Sequence, residues 1–106
     1  MRWSVETTPA AERELLALPR DIRGSFLRVA ELLEEFGPQE VREPHVRHLQ
    51  GKLWEMRLKG RDGIARAIYF AATGRRLLVV RVFQKKTQTT PRQEIELALK
   101  RMSEFA

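Results

Sequence analysis

The stretch from Lys52 to Phe83 constrains the fold of this chain more than any other part of it. It holds three blocks of eight residues: KLWEMRLK (52–59), IARAIYFA (64–71) and RLLVVRVF (76–83). The first alternates Trp54, Met56 and Leu58 with Glu55, Arg57 and Lys59, the period of a half-buried strand with a charged outer face. The third is almost continuously apolar, as suits a central strand covered on both faces. Gly60-Arg61-Asp62-Gly63 and Thr73-Gly74 are turn chemistry. Connections this short make consecutive strands pair as an antiparallel meander.

The flanking segments change period. Residues 2–6 (RWSVE) alternate as a short strand. Thr8-Pro9 reads as N-cap and first helical residue, with Ala11, Leu15 and Leu18 at helical spacing until Pro19. Ile22, Phe26, Val29, Leu33 and Phe36 form one apolar stripe, stopped by Gly37-Pro38. Two antiparallel helices joined by a tight turn follow from this. Residues 37–51 have no periodicity and read as a loop. At the other end, Thr90-Pro91-Arg92-Gln93 has the form of a capping box, and Ile95, Ala98, Leu99, Met102 and Phe105 give the last helix its apolar face. The expectation is one α+β domain over residues 1–106. A small antiparallel sheet, made of a short N-terminal strand and the meander, carries its helices on one face.

Cysteine is absent, which excludes disulfides and thiolate metal sites. No apolar run approaches the ~20 residues that span a bilayer, and the N-terminus lacks a signal-peptide block, so no membrane partner and a cytoplasmic location are expected. The net charge of +6 is unevenly spread. Residues 52–92 hold 11 Lys/Arg against Glu55 and Asp62, whereas residues 1–51 hold 7 Lys/Arg against 9 Asp/Glu. A surplus focused in one segment is the electrostatic footprint of a nucleic-acid binder.

Period two assigns the charges to faces. Glu55, Arg57 and Lys59 project opposite Trp54 and Met56. Arg66 and Arg81 interrupt apolar strands, and each must reach an open cleft or pair with an acid such as Glu55, because an unpartnered core arginine is costly. Lys85 and Lys86 stand where the central strand exits. Arg92 lies in the first turn of the last helix, whose positive end adds to the field. Together these groups suit a phosphate. Trp54 and Tyr69 read as core residues rather than a base-stacking platform. His45 and His48 read as loop histidines touching backbone or solvent, since zinc would need further ligands. No metal and no cofactor are expected.

Four stretches resemble the RelE/HigB-type toxins of bacterial toxin–antitoxin modules, particularly the phage-related HigB branch. They are Leu49-Gln50-Gly51-Lys52-Leu53-Trp54-Glu55-Met56-Arg57, Ala65-Arg66-Ala67-Ile68-Tyr69-Phe70, Phe83-Gln84-Lys85-Lys86-Thr87-Gln88-Thr89-Thr90-Pro91 and Glu94-Ile95-Glu96-Leu97-Ala98. The block F-x-K-K-T-x-x-T-P is the most specific of them. The resemblance implies a ribonuclease-like fold acting on messenger RNA in the ribosomal A site without metal. The RNA 2′-hydroxyl attacks the adjacent phosphate and the 5′-oxygen leaves, which also selects RNA over DNA.

Carried over by position, the resemblance makes Arg66 and Lys86 stabilisers of the phosphorane, with Lys85 and Arg57 on flanking phosphates. Lys59, Arg81 and Arg92 complete the expected phosphate contacts. Some members carry a tyrosine or histidine near the chain end for acid–base work; here Arg92 and its neighbours occupy that region. Glu55, the one carboxylate on the charged strand, is the base candidate, and a salt bridge to Arg57 or Arg66 is its other possible role. Lys85 needs its neighbour Lys86 and partial burial to lower a pKa of ~10.4. The implied partners are messenger RNA, the ribosome and a cognate antitoxin, a helix-turn-helix HigA-like protein through which DNA is contacted indirectly. The alternative is a non-catalytic RNA- or ribosome-binding or corepressor module of the same fold. A decayed prophage remnant that still folds is a third.

Overall fold

The three apolar blocks become strands β3 (Leu53–Gly60), β4 (Gly63–Ala72) and β5 (Arg76–Lys85), paired antiparallel in sequence order in a computed structural model that describes residues 2–85 and 89–105. Strand β1 (Ser4–Thr7) joins the outer edge of β5, and β2 (Val46–Gln50) joins that of β3, giving the order β1-β5-β4-β3-β2. The pairing of β1 with β5 is parallel, Ser4 lying opposite Arg76 and Thr7 opposite Val79. Among the described residues the sheet is therefore mixed and has five strands, one more than the meander and the N-terminal strand supply.

The added strand is β2, inside the segment read as a loop. It pairs antiparallel with β3, Arg47 opposite Glu55 and His48 opposite Trp54. Its period is hidden for two reasons. A register shift between His48 and Gln50 breaks the alternation. And as an edge strand it buries only Val46 fully.

Helix α1 (Pro9–Leu16) starts as expected, the Ala11 N–H donating to Thr8 Oγ1 at 3.1 Å. Helix α2 (Arg20–Phe36) ends at Gly37, whose φ of +84° lies where side chains are disfavoured and whose N–H donates to the Leu33 carbonyl at 2.9 Å. Ile22, Phe26, Val29 and Leu33 pack on Met56, Leu58, Ala65, Ala67, Tyr69 and Val79. Phe36, at the end of the same stripe, is left exposed. At Gly60 the strand comes so close to α2 that a Cβ would stand 2.4 Å from Ile22 Cγ1.

Helix α3 (Arg92–Ser103) covers the opposite face. Ala98, with Ile95, Leu99 and Met102, packs on Leu53, Ile68, Phe70, Leu78 and Val80. The helices thus lie on both faces of the sheet and not on one. The cause is visible in β4 and β5: both are apolar on alternate sides, so the second side also has to be removed from water.

A cationic face on the sheet and the family of the chain

Strand periodicity aims Glu55 and Arg57 of β3 and Arg66 of β4 out of the α3 side of the sheet, and a register shift between Val79 and Arg81 turns Lys85 of β5 to the same side. The register then brings them together: Arg57 lies opposite Arg66, Glu55 opposite Ile68, and Ile64 opposite Lys85. Arg47 of β2, opposite Glu55, adds a further cation on that face. Among the described residues, four cations surround one carboxylate.

Burial sets the chemistry of this group. Arg66 is 2% exposed. Its Nε lies 3.4 Å from Glu55 Oε2, an ion pair without hydrogen-bond alignment, and its Nη1 donates to the Ala65 carbonyl at 3.1 Å. Burial lowers its pKa from the ordinary arginine value; Glu55 opposes the shift, and Arg57 and Arg47 add to it. The guanidinium stays charged all the same. Lys85 is also buried. Burial lowers the pKa of its ammonium, Arg66, Arg57 and Arg47 lower it further, and Glu55 acts against them.

Glu55 is buried and engaged on both oxygens: Oε2 faces Arg66, and Oε1 accepts from the Thr90 hydroxyl at 2.6 Å. The pairing with Arg66 is one of the two expected from the sequence. Thr90 departs from its expected role. The N-cap of α3 is Pro91, with no side-chain cap bond, because the Thr90 hydroxyl serves the buried carboxylate instead. A charge-assisted bond to a desolvated acceptor is stronger than a cap bond to a solvated N–H.

The remaining expected contacts are dispersed. Arg57 adjoins Arg66 and also lies 3.9 Å from Glu43. Lys59 is exposed two residues further along β3, where with Arg57 it lines a hollow of ≈ 500 Å³ against α2. Arg92 is on the rim, donating to Gln50 Oε1 at 2.7 Å and lying 3.5 Å from Glu96. Arg81 is not part of the cluster. Its Nε donates to Glu94 at 2.6 Å and its Nη1 to Glu14 at 2.6 Å, so it ties α3 to α1 across β5, and these carboxylates raise its pKa. Lys86 lies outside the described residues.

Two members of the site were not legible beforehand. Arg47 lies on β2, whose sequence shows no strand period. Thr90 escaped because its capping pattern offered a sufficient local explanation. Trp54 departs from the core assignment: it is 38% exposed, on the hairpin side, while Tyr69 is buried as expected and burial pushes its phenol pKa up. His48 rests on backbone, its Nε2 2.8 Å from the Gly51 carbonyl. Among the described residues no three His, Asp or Glu side chains are grouped to hold a metal ion, and no helix is long and apolar enough to cross a membrane.

The family model described as Phage derived protein Gp49-like (DUF891) matches residues 13–103, which include every residue of the cationic face. The chain belongs to this family. No curated protein matches it. Among solved structures it is similar to the archaeal RelE–RelB complex from Pyrococcus horikoshii OT3, at 21% identity and a TM-score of 0.61, covering 83% of this chain and 100% of that one. It is also similar to the RelBE2 toxin–antitoxin complex from Mycobacterium tuberculosis, at 20% identity and a TM-score of 0.58, covering 80% and 93%. This Gp49-like chain therefore has the RelE fold.

Proposed function

We propose that this Gp49-like protein is the toxin of a toxin–antitoxin pair and cleaves messenger RNA on the ribosome. The observation that carries the reading is the convergence of Arg47, Arg57, Arg66 and Lys85 on one sheet face of a RelE-fold chain. Such a face stabilises a phosphorane whose negative charge grows as the 2′-oxygen attacks.

In this reading Arg66, desolvated and fixed by Glu55 and the Ala65 carbonyl, lies beneath the reacting phosphate and stabilises its growing charge through the field it adds to the face. Arg57 and Arg47 hold the flanking phosphates, and Lys86 belongs with them by its place in the sequence. The bond from O2′ to phosphorus forms, the bond from phosphorus to O5′ breaks, and the 2′-hydroxyl proton passes to water. Lys85 protonates the departing O5′ and is reprotonated from solvent; its lowered pKa makes it a better acid than an ordinary lysine. Glu55 acts as a positioning residue for Arg66, since both of its oxygens are engaged. Positioning by the ribosome supplies much of the remaining acceleration, of the order of ~7–11 kcal/mol for a well-aligned attack. The partner that silences the protein is an acidic antitoxin encoded beside it, a small helix-turn-helix protein, which covers the cationic face.

The test is expression of the wild type, Arg66→Ala and Lys85→Ala in cells, with growth and transcript ends followed. The wild type arrests growth and leaves 2′,3′-cyclic phosphate ends, the two variants do neither, and co-expression of the neighbouring antitoxin restores growth. A wild type that neither slows growth nor cuts ribosome-bound transcripts sinks the enzyme reading and leaves an RNA-binding or corepressor module. Glu55→Gln separates positioning from base catalysis. Cleavage abolished at every pH with RNA binding intact would return Glu55 to the role of base.

A further inference from the structure

Around the β2 edge, on the hairpin side of the sheet, lies a cavity of ≈ 1010 Å³, at the top of the ~300–1,000 Å³ range of ligand pockets. Trp3, Trp54 and Tyr69 line it, and its rim carries Arg42, Arg47 and Lys52 against one carboxylate, Glu43. Trp54 is 38% exposed on a strand whose Leu53, Met56 and Leu58 are wholly buried. His48 braces the indole edge-on, with ring centroids 4.9 Å apart and planes at 61°, and is itself held by the Gly51 carbonyl. A partly bare, buttressed indole is a stacking surface. The rim cations add charge complementarity to a phosphate.

Continuity with the cationic face comes through Arg47. On the edge strand it contributes to the lining of this cavity, and its charge also acts on Arg66 and Lys85 of the cationic face. Strand β2 is one strand, ~4.8 Å, wide, so a nucleic-acid backbone lying on Arg57 and Arg66 reaches the cavity by turning one edge. We propose that the cavity takes a nucleotide of the same single-stranded RNA, its base stacked on Trp54 and its phosphate held by Lys52 and Arg42. This inference rests on the nuclease reading for the course of the strand. It assigns a second contact region, which fixes RNA register by stacking and therefore tolerates every base.

The molecule carries its own reporter. Its two tryptophans are Trp3 and Trp54, and both line the cavity, so intrinsic fluorescence reads this place alone. The full chain is titrated at low salt with a short uncleavable 2′-O-methyl oligoribonucleotide, bearing a dye for anisotropy. Quenching is half complete at the midpoint given by anisotropy and persists in Trp3→Phe, which leaves Trp54 as the emitter. Trp54→Leu binds roughly 5- to 150-fold more weakly, and Trp54→Phe falls between it and the wild type. Circular dichroism confirms that both variants are folded. Lys52→Ala reduces the slope of log affinity against log salt by about 0.7.

Oligonucleotide binding with unchanged tryptophan emission overturns the proposal, as does wild-type affinity in folded Trp54→Leu and Lys52→Ala. So does emission that responds only to a co-expressed antitoxin. The nuclease reading is scored separately by transcript cleavage. Cleavage with a silent cavity removes this inference alone, whereas quenching without cleavage keeps it and removes the enzyme.

Discussion

Glu55→Gln is the perturbation whose consequences follow most directly from the geometry. The carboxylate is 2% exposed, 3.4 Å from Arg66 Nε and 2.6 Å from the Thr90 hydroxyl. Glutamine keeps the size and one oxygen for Thr90 but removes the charge. Breaking a buried ion pair from one side costs ~3–5 kcal/mol. The Arg66 pair lacks hydrogen-bond alignment, so the low end applies. Replacing a charge-assisted bond to Thr90 with a neutral one is worth about 1 kcal/mol of that total. The expected loss is about 3 kcal/mol, read as a urea midpoint lowered by ~2 M at an unchanged slope of about 1.5 kcal/mol/M. RNA affinity moves the other way. Removing one negative charge about 6 Å from a bound phosphate, at effective dielectric constants of ~20–80, strengthens binding by ~0.7–2.8 kcal/mol, at least about threefold. Urea unfolding and oligonucleotide anisotropy on the same preparation measure both. A variant as stable as the wild type, or one that binds RNA more weakly, refutes the assignment of Glu55 as the internal counter-ion of the cationic face.

Other outcomes follow from single groups. The Lys85 pKa is lowered in the fold, so the unfolded chain holds the proton that the native state gives up, and this group's contribution to stability rises with pH between its lowered value and 10.5. Lys85→Met removes that rise, and urea midpoints from pH 7 to 10 show it as a flatter curve. The Tyr69 pKa is raised, so its contribution is lost as pH climbs above 10.0, where the unfolded chain ionises first. Tyr69→Phe lessens the alkaline loss in the same titration. Arg81→Met breaks the fork to Glu14 and Glu94 and lowers stability by about 1–3 kcal/mol. Thermal unfolding detects it, and a matching loss of RNA affinity contradicts the structural role given to Arg81.

The fold was legible where burial imposes a period. The α2 stripe from Ile22 to Leu33, the alternation of β3 and the two-sided apolar run of β5 each state which atoms leave water, and Thr8 and Gly37 mark helix ends by local bonding. β2 was not legible, because an edge strand with a register shift buries too little to show alternation. The same weakness hid Arg47. Parity within β3 and β4 puts Glu55, Arg57 and Arg66 on the side of Leu53 and Ile68, whereas Lys85 joins them because the register shift between Val79 and Arg81 reverses the parity of the end of β5. Arg81 shares that parity yet belongs elsewhere: its partners Glu14 and Glu94 sit 67 and 13 residues away in sequence, and only the tertiary fold brings them to it. Trp54 illustrates the converse. Its alternation with Glu55 puts it on the inner face, but no residue of α2 lines the cavity beside it, so the inner face there is open.

The most direct measurement of the central claim is primer extension on a ribosome-bound transcript incubated with purified wild type, Arg66→Ala and Lys85→Ala. The cationic face predicts discrete stops with the wild type and a loss of at least about a hundredfold in each variant, the scale of removing one preorganised charge donor. Stops of equal strength in all three proteins, or none in any, would contradict it.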